Sequence, residues 1–440
     1  MPALSRYIVP AIAVVVFLAL ATVALDKPGY YYDEVIFVPV SLRVLGDCGV
    51  DAAVTREVGC LPLMQTLGYV GAVKAWLHAP LFAAFGTNVW TVRLPSILLG
   101  ALTLLVLWSF VRRELGSAWA MLLMVLLCVD PVLIGHARID WGPHMLAAFL
   151  RVLSLVALWR WLQTGRKRWL VIACSALVVG FFDKLNFVWV IGAWLGALAV
   201  VAGRPAWGRL RDGRPWQPII AGVTLVVIVA GAATLLRHAA RLDVLGDAGA
   251  LTWTDQAVKV WNLFAATFSG TSVVSWVFGA EQPVTSAFNV LAIVQCLAAM
   301  FLLAWWRPWT PARRLLAFVT VASVFLVIAI AATRQVGGTH HLVMLWPLPA
   351  LQLVILLAIA SQHGDTTSQM KGRSGRAILA TSGAVVVGAV LAWNIAMDLR
   401  YVDTFANDPD YRPLFDPAIG KLGRRLEALG VDRVISVDWG

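Results

Sequence analysis

Charge is what this 440-residue chain has least of. Only 13% of its residues are Asp, Glu, Lys or Arg, against about 25% in an ordinary soluble domain, while 60% are hydrophobic. That balance excludes a water-soluble fold and indicates a protein that crosses a membrane many times. The formal net charge of +11 does not indicate a nucleic-acid partner, because the basic residues are not pooled in one patch. Cysteines are also few, five in all. Cys128, Cys174 and Cys296 lie in apolar stretches, where a thiol packs as a small hydrophobe. Cys48 and Cys60 instead bracket the polar run DCGVDAAVTREVGC, and an oxidising compartment would let them close it as a disulfide. No histidine stands at zinc-ligand spacing beside that pair. Internal repeats are missing as well, which argues against a transporter built from two halves.

What is abundant is apolar sequence, and it comes in runs. Read as helices, the stretches 7–25, 93–111, 117–134, 144–162, 169–182, 187–203, 217–236, 286–306, 315–332, 342–360 and 377–397 make eleven crossings. Arg6 and the basic clusters at 112–113, 160–168, 204–214, 307–314 and 371–376 recur at every second loop, so all fall on one side of the membrane. The positive-inside rule therefore places the N-terminus in the cytoplasm and the segment after residue 397 outside, as for a multi-pass protein of a bacterial inner (plasma) membrane. The apolar core of the first span is longer than the roughly 7–15 residues of a signal peptide, so it reads as a retained anchor.

Two units follow: a transmembrane domain, 1–397, and an external segment, 398–440. In the latter, Asp416-Pro417 and Gly430 read as helix caps and 434–437 as a strand, the opening of a small α/β domain. The first external loop, 26–92, contains two apolar stretches, 35–45 and 61–85, interrupted by Arg43, Lys74 and His78. Both suit helices lying in the membrane interface. Residues 257–278 read as a further interfacial or re-entrant helix, with two extra crossings as the alternative.

The rare charges concentrate at the expected external face. Tyr31-Tyr32-Asp33-Glu34 puts two carboxylates just past the first span, where burial is expensive unless they are used. GHARIDWGPH, residues 135–144, gathers His136, Arg138, Asp140 and His144. Arg151 lies two helical turns further in, at a depth where a cation needs an acid, a phosphate or a cavity as partner. Asp183-Lys184 follows the fifth span, and Arg334, His340 and His341 lie between the ninth and tenth. A divalent cation shared by Asp33, Asp140, His136 and His144 is conceivable in chemistry, but no ligand spacing here is diagnostic.

An N-in first span, YYYDE at the start of a long helical loop, the re-entry RLPSILLGALTLLVLWSFVRRELG, an Arg/Asp pair after the third span and a His/Pro-containing late span together resemble the GT-C superfamily. The branch most similar is the glycosyltransferase family 39-like group of protein O-mannosyltransferases and lipid A aminoarabinose transferases. The resemblance covers roughly residues 1–360 and implies an all-α polytopic bundle that uses a polyprenyl-phosphate sugar as donor. It implies a catalytic role for Asp33, with Glu34 beside it and Asp140 as second acid.

Chemistry points the same way. A phosphate-linked sugar has a good leaving group, so transfer needs one base for the acceptor hydroxyl and a positive cradle for the departing phosphate. Arg138, Lys184, Arg334 and Arg151 are the cations available for that cradle, and His136, His144, His340 and His341 are further substrate or metal candidates. The expected acceptor is a hydroxyl or amine on a lipid, glycan or protein, reached with inversion at the anomeric carbon. A secondary transporter and a non-catalytic lipid-binding subunit are the competing readings. A transporter would place its ionisable groups near the membrane midplane, whereas only Arg151 lies deep here.

Overall fold

The computed structural model describes residues 5–27, 29–65, 68–140, 142–211, 216–241, 252–278, 285–305, 309–333, 338–363, 372–407 and a few around 422–430. The helices are α1 (Ser5–Thr22), α2 (Tyr32–Val44), α3 (Val73–Phe85), α4 (Val89–Glu114), α5 (Ser117–Cys128), α6 (Pro131–Arg138), α7 (His144–Thr164), α8 (Lys167–Asp183), α9 (Val188–Arg211), α10 (Trp216–Arg241), α11 (Trp253–Phe268), α12 (Thr271–Phe278), α13 (Ala287–Trp305), α14 (Pro311–Ala332), α15 (Thr339–Leu342), α16 (Leu348–His363) and α17 (Gly372–Asn407). Between α2 and α3 lies a small antiparallel sheet of β1 (Val54–Val58), β2 (Leu61–Gln65) and β3 (Val70–Gly71), in that order.

A helix occupies each of the eleven apolar stretches. Among the described residues, seven helical segments are long and apolar enough to cross a membrane, and α5 with α6 adds an eighth if the pair, bent by 55°, is one span. Those seven or eight compare with the eleven expected. The apolar parts of α1 and α10 are shorter, and α8 has 17 residues. The bend after α5 is written in Asp130-Pro131: the Asp130 carboxylate accepts the Val132 N–H at 2.9 Å, and Pro131 occupies the first helical position, where a missing N–H costs little. At α4 the helix starts earlier than expected. Asn88 accepts the N–H groups of Trp90 and Thr91 at 2.9 and 3.1 Å, so α4 begins at Val89 and Pro95 falls inside it rather than in its first turn.

The segment 26–92 departs from the expectation in one respect. Residues 35–45 lie in a helix, but the stretch 61–85 is divided, with strands up to Gly71 and helix only from Val73. Leu61–Gln65 mixes exposed with buried side chains, as a strand with one face covered does. Cys48 is bonded to Cys60, in the β1–β2 turn, with a Cα–Cα distance of 5.5 Å, which closes a loop that contains β1.

Residues 257–278 form α11 and α12, neither of them long enough to cross. They break at Gly270, whose φ is +75° and where a Cβ would lie 2.6 Å from Pro131 Cγ. Beyond residue 397, α17 continues to Asn407 without a break; Asp416, Pro417 and the expected strand at 434–437 lie outside the described residues.

The core sits around α7 and the α15–α16 segment, 72% and 78% buried over their most apolar windows, whereas α13 and the end of α17, each 17% buried, offer most of their surface to lipid. Inside the core the polar side chains pair with each other. The Trp194 indole donates to Ser154 Oγ at 2.9 Å and the Trp161 indole to Gln217 Oε1 at 3.2 Å, as an environment without water requires.

Candidate active site

One end of the bundle, capped by α2, α3 and the sheet, collects the rare charges. Asp33 and Glu34 occupy the first turn of α2, where carboxylates are favoured by the free backbone N–H groups. Adjacent helical residues point about 100° apart, and the two acids meet different surroundings.

Glu34 is buried and saturated. Its Oε1 accepts from Arg93 Nε at 2.8 Å, and its Oε2 accepts from Arg93 Nη2 at 2.8 Å and from the Tyr31 N–H at 2.8 Å. Arg93 also donates to the carbonyls of Leu25 and Gly29, at 2.6 and 2.9 Å. This pair therefore fastens the α1–α2 connection and the first turn of α2 to the side of α4. Asp33 is only partly buried. Burial pushes its carboxyl above the usual carboxylate range, opposed by the nearby cations Lys184 and Lys74 and reinforced by Asp140 and Glu34.

Asp140 is also closed. Its Oδ2 pairs with Lys74 Nζ at 3.1 Å and accepts from Ser96 Oγ at 2.9 Å, while Oδ1 accepts the N–H groups of His144 and Met145 at 3.0 and 3.3 Å, capping α7. Lys74 in turn donates to the Gly142 carbonyl at 3.0 Å and lies 4.5 Å over the Phe37 ring.

The four expected phosphate ligands separate. Arg138 is buried and donates to main-chain carbonyls at the end of α1: Val23, Ala24 at 2.9 Å and Lys27 at 3.1 Å. Arg151 is buried too, donating to the carbonyls of Trp346 and Val343 at 2.9 and 3.1 Å and to the Met344 sulfur at 3.4 Å. Both cations satisfy carbonyls at helix ends and turns. Arg334 lies outside the described residues. Lys184, at the end of α8, is the one whose charge bears on the Asp33 carboxyl. It is partly buried, its Nζ lies 3.3 Å from His144 Nε2, and burial pulls its pKa down while Asp33, Asp140 and Asp183 hold it up.

The histidines do come together. Ring centroids of His136 and His144 are 5.8 Å apart, those of His144 and His340 5.8 Å, and those of His340 and His341 4.1 Å. Among the described residues no group of three or more His, Cys, Asp or Glu side chains is placed to hold a metal ion.

Four participants were not expected as site residues: Lys74, Arg93, Ser96 and Tyr69. Lys74 shows in the sequence only as a charge interrupting an apolar run, and Arg93 and Ser96 lie in RLPSILLG, conspicuous as a motif rather than as chemistry. Tyr69, in the turn before β3, has its phenol pushed up by burial and by Asp33 nearby.

Over residues 70–232 the chain matches the family model of dolichyl-phosphate-mannose-protein mannosyltransferases. No curated protein sequence matches it. Among solved structures it is similar to ArnT from Cupriavidus metallidurans in the apo state, at 14% identity and TM-score 0.53, over 91% of this chain and 76% of that one. The ArnT structure bound to undecaprenyl phosphate gives 14% identity and TM-score 0.52, over 98% and 80%. The oligosaccharyltransferase of Archaeoglobus fulgidus in its apo form gives 14% identity and TM-score 0.54, over 90% of this chain but 56% of that one, so the chain spans little more than half of that enzyme. At such identities the structural likeness speaks to the fold. The chain thus has the fold of these membrane enzymes along most of its length, and across residues 70–232 it resembles the dolichyl-phosphate-mannose-protein mannosyltransferases.

Proposed function

We propose that the protein transfers a sugar from a polyprenyl-phosphate donor to a hydroxyl or amine of an acceptor on the external face of the membrane, with inversion at the anomeric carbon. The observation that carries this reading is the contrast around Asp33. Glu34 and Asp140 have their oxygens engaged by Arg93, Lys74, Ser96 and backbone N–H groups, and Asp33 is the partly exposed carboxylate beside a cation.

The step balances with these groups. Asp33 accepts the acceptor's proton as its oxygen or nitrogen bonds to the anomeric carbon, and the bond from that carbon to the phosphate oxygen breaks, leaving polyprenyl phosphate. A carboxylate pushed above its ordinary range is a better base than a free one. Lys184 stands where the negative charge on the departing phosphate grows, and a preformed charge there acts most strongly on the transition state. The family match and the ArnT structure that holds undecaprenyl phosphate support the donor class. A second structure of the Archaeoglobus enzyme contains dolichol-phosphate and an inhibitory peptide, which supports a lipid phosphate partner in this fold. The alternating basic loops support a cytoplasmic N-terminus and an external active-site end in the inner membrane.

Mass spectrometry of the lipids that copurify in nanodiscs tests the reading. A polyprenyl phosphate or its glycosylated form is expected, and glycosylated donor added back should be consumed with release of polyprenyl phosphate. Absence of both lipid retention and donor consumption would overturn it.

A further inference from the structure

The small sheet is joined to both halves of the site. At its outer edge, Arg43 in the last turn of α2 pairs with Glu57 of β1 at 2.7 Å and donates to the Val50 carbonyl at 2.9 Å, within the loop that the Cys48–Cys60 bond closes. At its other edge, Val70 of β3 forms an antiparallel bridge with Lys184, and the Leu185 N–H donates to the Tyr69 carbonyl at 3.2 Å. The approach leaves no room: a Cβ on Gly71 would lie 2.3 Å from the Phe182 carbonyl oxygen. Gln65, fully buried on β2, donates to the Gly71 carbonyl at 2.9 Å and holds β3 flat against that contact.

We propose that β3 is the positioning strand of the site, fixing the backbone of Lys184 so that its ammonium stays beside Asp33 and His144. Lysine needs such a device, because its charge rides on four rotatable carbons and is not placed by its own stem. The strand acts on the reaction only through Lys184, so Gly71, Val70 and the disulfide are positioning groups that touch no substrate. This inference rests on the roles proposed above for Asp33 and Lys184. The charged and titratable groups facing Asp33 are Lys184 at the end of α8, Lys74 on α3, Asp140 before α7, Tyr69 before β3 and its own neighbour Glu34. Of these, Lys184 and Tyr69 are the ones tied to β3.

The test is a double-mutant cycle of Gly71→Ala with Lys184→Ala, read as donor KM and as the acidic limb of the kcat/KM profile. Gly71→Ala alone should raise the donor KM by about three- to tenfold and move the acidic limb up by about 0.5 pH unit, because a cation that lowers the Asp33 pKa has been displaced. In the Lys184→Ala background it should change KM by less than about twofold and leave the limb in place. Reduction of the folded wild-type enzyme with a phosphine should move KM and the limb in the same directions, reversibly on reoxidation, which keeps the test readable if Gly71→Ala does not fold. Equal losses in both backgrounds, or lower yield with unchanged KM and limb, would overturn the inference. Asp33→Asn measured alongside separates the two layers: retained transfer there brings down the base assignment itself, whereas an inactive Asp33→Asn with an unmoved limb in the strand variants overturns only the role of β3.

Discussion

The floor of the site and its rim hold charges of the same kinds in opposite conditions. On the floor, Glu34 with Arg93, Asp140 with Lys74 and Ser96, and Arg138 and Arg151 with main-chain carbonyls are buried with multiple partners. At the rim, Asp33 and Lys184 are partly exposed and keep contacts to offer. A buried charge in a membrane protein is costly unless paired, so depth and charge together do not identify catalytic groups. The distinction lies in which charges have coordination left over, and each of the following substitutions probes one side of it.

The largest structural effect is expected from opening the floor. Glu34→Ala or Arg93→Met leaves the partner buried without its counter-ion, and either should cost about 3–5 kcal/mol of stability, seen as a drop in thermal midpoint and in monodisperse yield. Intermediate effects belong to Arg138. Arg138→Ala strips donors from the carbonyls that end α1 and should cost about 1–3 kcal/mol in a denaturation assay, while the donor KM of the folded fraction stays unchanged. A raised donor KM without loss of stability would return Arg138 to the phosphate cradle.

The smallest effect, and the most diagnostic, is at the rim. Because Asp33 must be ionised to accept a proton, activity falls as pH drops through its pKa, which burial holds above the ordinary value of about 3.9. Lys184 lowers that pKa, so its removal raises it. In Lys184→Ala the acidic limb of kcat/KM should move to higher pH by about 0.5 to 1 unit, with a higher donor KM. A limb that stays in place or moves down would separate Lys184 from Asp33.

Much of the fold was legible because a membrane imposes a coarse rule: a helix occupies each of the eleven apolar runs, although the run 117–134, read as one span, is broken at Asp130-Pro131. The strands were not. Residues 61–71 are apolar and run without a break into α3, and periodicity does not separate a short strand from a helix when one face is covered. In the candidate site, YYYDE drew attention to the first turn of α2, but sequence does not say that Glu34 is locked by a residue 59 positions away or that Arg138 and Arg151 find carbonyls. Those partners come from tertiary packing. Lys184 was one of several candidate cations in the sequence, and its contact with His144 and its bridge to Val70 come only from the fold.

The central claim is that Asp33 is the base and Glu34 a strut. It is tested most directly by single-turnover sugar transfer from a polyprenyl-phosphate donor in nanodiscs, comparing Asp33→Asn with Glu34→Gln after both are matched for folded protein by thermal midpoint. The account predicts that Asp33→Asn keeps the wild-type midpoint and loses transfer by about 10²–10⁴-fold, while folded Glu34→Gln retains most of its rate and loses midpoint instead. Full transfer by Asp33→Asn, or a folded Glu34→Gln that is inactive while Asp33→Asn is not, would contradict it.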